Sequence, residues 1–198
     1  MKKFELTSET KINIFGKKLF RIKALISFAD VEAGETGGWV EKEGNVNQSG
    51  DAWVSGNAEV SGNAKVYGNA KVYGNAKVYG NAKVSGNAEV YGNAEVSGDA
   101  WVYGNAKVYG DAWVYGNAKV SGDAEVYGNA DYTTIHGFGT QFRTTTFFRC
   151  KDKKVRVACG CFFGTIPEFR EQVKNTRKGK IAEEYLMIAD LMENHFEK

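Results

Sequence analysis

With 198 residues the chain can bury one sizeable core, and its formal charge of only +2 at pH 7 makes no electrostatic case for a specific nucleic-acid or membrane partner. Its 24 glycines stand beside a single proline, Pro167, which excludes a disordered linker and argues for many tight turns inside ordered structure. No apolar run approaches the ~18 residues of a membrane span, the start MKKFELTSETK carries no apolar leader, and an odd three cysteines suit free thiols, so a cytoplasmic protein with no membrane partner is expected.

Residues 1–35 make the first predicted unit. Apolar and polar residues alternate through KINIF and LFRIKALISF, interrupted at Gly16-Lys17-Lys18, which is the pattern of a β-hairpin. Placed at the start of a repeat array, such a hairpin caps an exposed edge and blocks end-to-end aggregation.

The repeat then dominates residues 36–133. A valine falls at every sixth residue from Val54 to Val126, and the unit Gly-(Asn/Asp)-Ala-x-Val-(Tyr/Ser), with x Lys, Glu or Trp, runs thirteen times from Gly50 to Tyr127. A worn copy, GNADYT, follows, and GGWV at 37–40 reads as a degenerate coil before it. Six is not a helical period, so a long helix or coiled coil is excluded. Ala and Val sit two apart, as the inward residues of a short strand, while x and Tyr/Ser face outward. Gly-Asn is expected to supply each corner by tolerating positive φ. One strand and one corner, repeated, make a coil of parallel strands.

The charges set the number of strands per coil, because outward neighbours on successive coils stand ~4.8 Å apart and opposite charges should stack. At an offset of 18, charged x residues pair opposite in five cases and alike only at Lys65–Lys83; offsets of 12 and 6 score four to three and three to four. Eighteen residues per coil means three faces. The first carries Trp53, Lys71, Glu89, Lys107 and Glu125 beside Tyr73, Tyr91, Tyr109 and Tyr127. The second carries Glu59, Lys77, Glu95 and Trp113, and the third Lys65, Lys83, Trp101 and Lys119 beside Tyr67 and Tyr103.

After Thr133 the composition changes. FRTTTFFRC and VRVACGCFF read as two strands joined by the basic turn Lys151–Lys154, and Thr165-Ile166-Pro167-Glu168 is a capping-box pattern opening a helix to about Asn175. A second helix is predicted over Ile181–Glu197 from the stripe Ala182, Tyr185, Ala189, Met192 and Phe196. Val155, Val157, Cys159, Cys161 and Phe163 are expected on one strand face, which makes the thiols small core hydrophobes. Three thiolates with His136 or His195 as a fourth ligand is the competing zinc reading, weakened by the Cys-x-Cys spacing; no metal is predicted.

The unit V-(Y/S)-G-(N/D)-A-x resembles the hexapeptide repeat of left-handed parallel β-helix proteins, with the aliphatic residue at Val and the small one at Ala. FRIKALISFADVEAGETGGWVE and CGCFFGTIPEFREQV resemble segments of bacterial and bacteriophage hexapeptide-repeat proteins named as transferases. The resemblance implies a left-handed coil, homotrimers, a phage-encoded origin, and acyltransferase activity on a nucleotide sugar or other small acceptor. The expected fold is therefore mainly β: a left-handed parallel β-helix, a three-sided prism of 18 residues per coil over 36–133, with an N-terminal β-hairpin cap (1–35) and a small C-terminal ββαα domain (134–198).

Acyltransferases of that family use a histidine as general base, whereas this chain has no histidine before His136 and its coils have no inserted loop. The carbonic-anhydrase branch uses three metal-binding histidines, and the chain has two. The sequence therefore favours a non-catalytic, oligomeric scaffold without a cofactor, binding a host protein, such as a host-defence protein, or a nucleotide-like anion. An acyltransferase with its site near His136, in TIHGFG, is the alternative. On the third face Lys65, Lys83 and Lys119 with Trp101, Tyr67 and Tyr103 combine charge and stacking for an anionic or planar ligand. The row Tyr73, Tyr91, Tyr109 and Tyr127 is a flat patch suited to a partner chain, and Arg149, Lys151, Lys153, Lys154 and Arg156 form the densest positive cluster. Each set has a plainer reading: ladders that hold in-register strands, and a solvated, charged hairpin tip.

Overall fold

The structure, a computed structural model, describes residues 2–197. Three strands open the chain, β1 (Phe4–Ile12), β2 (Lys18–Ala24) and β3 (Thr36–Val40). Thirteen two-residue strands follow, β4 (Trp53–Val54) to β16 (Glu125–Val126), each an x-Val pair spaced six residues from the last. Stacking is parallel and 18 residues apart, as in Glu89 beside Lys107 and Val90 beside Val108. Three sheets result: β4-β7-β10-β13-β16, β5-β8-β11-β14 and β6-β9-β12-β15, together a parallel β-solenoid of about five turns. The Ala and Val of every unit point inward and are essentially inaccessible to solvent, so the prism is filled by two small side chains per strand.

The corner glycines, and not the asparagines, carry the positive φ. From Gly50 to Gly122 they lie between +63° and +73°, while among the described residues no asparagine adopts a positive φ. The asparagines instead form side-chain ladders between coils: Asn69 Nδ2 donates to Asn87 Oδ1 (3.0 Å), Asn87 to Asn105 (3.1 Å), and Asn105 to Asp123 (3.1 Å). The other two corners run Asn57, Asn75, Asn93, Asp111 and Asn63, Asn81, Asp99. Each ladder ends on an aspartate, since a carboxylate accepts but has no N–H to pass the chain on.

Stacking gives the prism a polarity that explains its two ends. Each x-residue N–H donates to an alanine carbonyl one coil later (Trp53 to Ala70, 3.0 Å), and each corner Asn or Asp N–H donates to a glycine carbonyl (Asn57 to Gly74, 2.9 Å). The first coil therefore presents unpaired acceptors and the last coil unpaired donors. At the first corner Lys3 Nζ donates to both Gly50 O (3.1 Å) and Ala52 O (2.7 Å). At the next, Gly56 O takes Arg21 Nη1 (3.4 Å) and Ala58 O takes the Trp39 N–H (2.9 Å). At the third, Asn45 Nδ2 donates to Gly62 O (3.2 Å) and Ala64 O (2.9 Å). The last coil meets acceptors instead: Asn129 Oδ1 takes the Trp113 N–H (2.8 Å) and Thr146 Oγ1 that of Lys119 (3.0 Å).

The N-terminal hairpin is part of the prism wall. β1 pairs antiparallel with β2, β2 with β3, and β3 runs parallel to β5 with Trp39 beside Glu59, so the hairpin extends one solenoid sheet. Gly37 and Gly38 permit this approach, for a Cβ there would stand 2.5 Å from Ile22 and 2.7 Å from Val54.

Beyond the last coil, the C-terminal region has four strands where the sequence predicts two: β17 (Tyr132–Phe138), β18 (Arg143–Arg149), β19 (Val155–Cys159) and β20 (Phe162–Thr165), antiparallel in that order. The stretch expected to form one strand turns back at Gly160-Cys161, where Gly160 takes φ +62°. Phe163 therefore pairs with Ala158, off the Val157 and Cys159 face, and Cys161 sits exposed at the turn. One face of the sheet, with Tyr132, Phe148, Cys150 and Ala158, continues the solenoid core. The other, with Phe147 and Val157, packs on α1 (Ile166–Thr176) and α2 (Gly179–Phe196) through Phe169, Tyr185 and Met192. The Thr165 capping box forms as expected, with Glu168 N–H on Thr165 Oγ1 and Thr165 N–H on the Glu168 carboxylate.

Candidate functional site

Outward residues interact mainly along a diagonal of 16 residues, from the Tyr/Ser of one coil to x of the next. Tyr73 donates to Glu89 (2.7 Å) and Tyr79 to Glu95 (2.9 Å); where x is tryptophan the partner is a buried serine, Trp101 Nε1 to Ser85 (2.9 Å) and Trp113 Nε1 to Ser97 (3.0 Å). Burial and the adjacent glutamate push the hydroxyls of Tyr73 and Tyr79 up. The charge ladder that sets the register closes within 4.0 Å only at Lys77–Glu95 (3.2 Å) and Lys107–Glu89 (3.8 Å); Lys71 turns to Asp30 (2.8 Å).

The tyrosine row on the first face is stacked over three members. Tyr73 and Tyr91 lie 4.8 Å apart and 1° from parallel, Tyr91 and Tyr109 5.0 Å and 7°, while Tyr127 turns edge-on at 64°. The basic cluster divides by role. Arg149 donates to Phe196 O (2.8 Å), faces Asp131 (3.5 Å) and lies over the Phe196 ring, and Arg156 binds Asp152 (2.7 Å). Lys151, Lys153 and Lys154 remain exposed on the turn, with Lys153 at φ +64°.

The third face is different in kind. The x-position lysines of the other faces, Lys71, Lys77 and Lys107, each have a carboxylate within 4.0 Å. Among the described residues, Lys65, Lys83 and Lys119 have none. Lys83 Nζ stands 5.9 Å from the Trp101 ring, and Trp101 leans on Tyr103 at 4.5 Å. At one end of this face Lys65, Tyr67 and Lys83 line an open groove of about 610 Å³, together with Gln48 and Glu43. At the other, Lys119 enters a second groove of about 640 Å³ against the C-terminal domain, with Asn117, His136, Phe142, Arg143 and Thr144. The six predicted ligand residues thus share one face but not one pocket.

His136 is exposed at that junction, its Nδ1 3.2 Å from Thr144 Oγ1, while His195 lies on α2 near the chain end. Cys150 is buried, and that burial pushes its thiol up to about 11. Among the described residues no group of three or more His, Cys, Asp or Glu side chains converges as a metal set, nor is any helix long and apolar enough to cross a membrane. Arg143, Asn117 and Phe142 escape the sequence reading because β18 and its preceding turn meet the solenoid only in three dimensions. One signal was available: Asp99 ends its ladder a coil early, leaving Asn117 outside it.

A family model described as the YdcK β-solenoid repeat matches residues 100–116, close to one coil of the prism. No curated protein matches the chain. The repeat match and the stacked sheets together identify a parallel β-solenoid repeat protein.

Proposed function

We propose that this solenoid is a non-catalytic binding scaffold whose third face takes an anionic ligand or an acidic partner surface. The carrying observation is the contrast in lysine pairing: three x-position lysines on the other faces each have a carboxylate within 4.0 Å, whereas Lys65, Lys83 and Lys119 have none among the described residues. Cations aligned on a rigid wall meet an anion without reordering, and Trp101 adds a surface for stacking. Inorganic triphosphate is a suitable probe, since adjacent coils place Lys65 and Lys83 in register. Calorimetry should show salt-sensitive binding that is lost in Lys65→Glu/Lys83→Glu and kept when Lys71 and Lys77 are reversed. Binding equally affected by both pairs would refute an assignment to the third face.

The alternative, an acyltransferase at the junction, is favoured by one observation, the opening of His136 onto a groove with Lys119 and Asn117. Against it, the His136 ring bonds a hydroxyl and is oriented by no carboxylate among the described residues. Acetyl-coenzyme A binding that disappears in His136→Ala would establish the enzyme reading. Assembly as a trimer, implied by the resemblance, is proposed through the flat tyrosine row, and light scattering of the wild type against Tyr91→Lys tests it.

A further inference from the structure

The groove between the third face and the C-terminal domain gathers three independent features. Lys119 and Arg143 line it, and neither has a carboxylate within 4.0 Å among the described residues. Asn117 stands one coil beyond Asp99, whose carboxylate has no N–H to donate to it, and at the last coil its own amide N–H meets no further ladder residue; it makes no side-chain hydrogen bond among the described residues. Phe142 is 66% exposed at the lip and holds φ +47°, a left-handed conformation that is a genuine outlier for a bulky residue.

Neighbouring residues hold these groups in place. Thr146 takes the backbone N–H of Lys119, which ties the coil to β18, and Thr144 contacts the His136 ring across the β17–β18 pair that forms the other side of the groove. Gly160 leaves room for Arg143, because a Cβ there would stand 2.5 Å from its guanidinium. The volume, about 640 Å³, falls within the roughly 300–1,000 Å³ of small-molecule sites.

We propose that this groove binds a small phosphorylated compound carrying a planar ring, of which a nucleoside monophosphate is the simplest. The phosphate lies between Arg143 and Lys119, whose donors it satisfies with charge-assisted hydrogen bonds, and the Asn117 amide adds a third donor. The ring stacks on Phe142. This deepens the anionic-ligand reading by giving it a class and a second location, which shares only Lys119 with that reading's ligand residues.

The experiment titrates the full chain with AMP, ribose 5-phosphate, adenosine and inorganic phosphate by calorimetry at low salt. AMP should bind more tightly than the other three. Arg143→Ala should weaken it by roughly tenfold to a hundredfold, the range for a charged hydrogen bond, and Asn117→Asp by a similar factor. Phe142→Ala should bring AMP down to the level of ribose 5-phosphate. Lys65→Glu/Lys83→Glu should leave AMP binding unchanged. The Arg143 side chain is exposed and makes no hydrogen bond among the described residues, so Arg143→Ala should keep the wild-type melting temperature. Asn117→Asp sets a second carboxylate one coil from Asp99 and should lower it slightly, so its loss of AMP is checked in Asn117→Ala, which adds no charge. Undetectable AMP binding at about 1 mM, or AMP affinity indifferent to Arg143→Ala and Asn117→Asp, overturns the proposal. AMP binding lost only in Lys65→Glu/Lys83→Glu also overturns it, while leaving the third-face reading intact; triphosphate binding that ignores those two lysines sinks that reading alone.

Discussion

Gly98 and Gly116 belong to the same corner stack, one coil apart, and have the same φ of +66°. Their surroundings differ. A Cβ on Gly98 would lie 3.0, 3.1 and 3.2 Å from the backbone of Gly116, whereas a Cβ on Gly116 meets nothing within 4 Å. Changing each to alanine therefore separates conformational strain from coil-to-coil contact. Placing alanine in the left-handed region costs about 1–2 kcal/mol, and the stiffer unfolded chain returns about 0.4–1 kcal/mol. Gly116→Ala should thus cost about 1 kcal/mol. Gly98→Ala carries the same cost plus overpacking against backbone that cannot rotate away, about 1–3 kcal/mol more. Urea unfolding followed by far-UV circular dichroism should give a clearly lower midpoint for Gly98→Ala at an unchanged m-value. Equal midpoints would refute the idea that glycine is required at the corners because successive coils approach there, leaving φ as the whole reason.

The asparagine ladder makes a directional prediction: Asn87→Asp removes the donor to Asn105 and sets two oxygens against each other, costing about 1 kcal/mol in the same unfolding assay. Asp123→Asn keeps the acceptor for Asn105 and should be close to neutral. Lys3→Met leaves the carbonyls of Gly50 and Ala52 without their donor and should destabilise by about 1–3 kcal/mol. Burial, opposed by Asp51, pushes the Lys3 ammonium down to about 8 from 10.5, so between those values the unfolded chain binds more protons and the wild type gains stability as pH rises. Lys3→Met should lack that gain; a wild-type minus variant difference that is flat from pH 8 to 10.5 would contradict the assignment. Thiol labelling of the native protein should modify Cys161 rapidly and spare Cys150 until unfolding, given their exposed and buried positions.

The solenoid was legible because a six-residue word admits only one periodic use of its apolar pair: Ala and Val two apart demand a strand, and Gly demands a corner. Even the register was recoverable, although two of the five opposite-charge pairs make direct contact; opposite charges one coil apart remain favourable beyond ion-pair distance. Asparagine was misjudged for a physical reason. It shares glycine's tolerance of positive φ, and only the stacking of coils reveals that its amide is spent on its neighbour one coil away. The CGC stretch was misjudged because alternation alone cannot distinguish a continuing strand from one that reverses at Gly160.

What the amino-acid order determined by itself is everything that repeats: the inward pair, the corner, the three faces and the residues on each. What tertiary structure alone decided lies at the ends, where periodicity stops supplying partners. The prism has acceptors at one end and donors at the other, so Lys3, Arg21 and Asn45 had to come from outside the repeat to close the first coil, and Asn129 and Thr146 to close the last. The same closure brings Arg143 and Phe142 to Lys119 and Asn117. Contacts between residues far apart in the chain and outside any period leave no local signature, because they follow from how two surfaces meet in space.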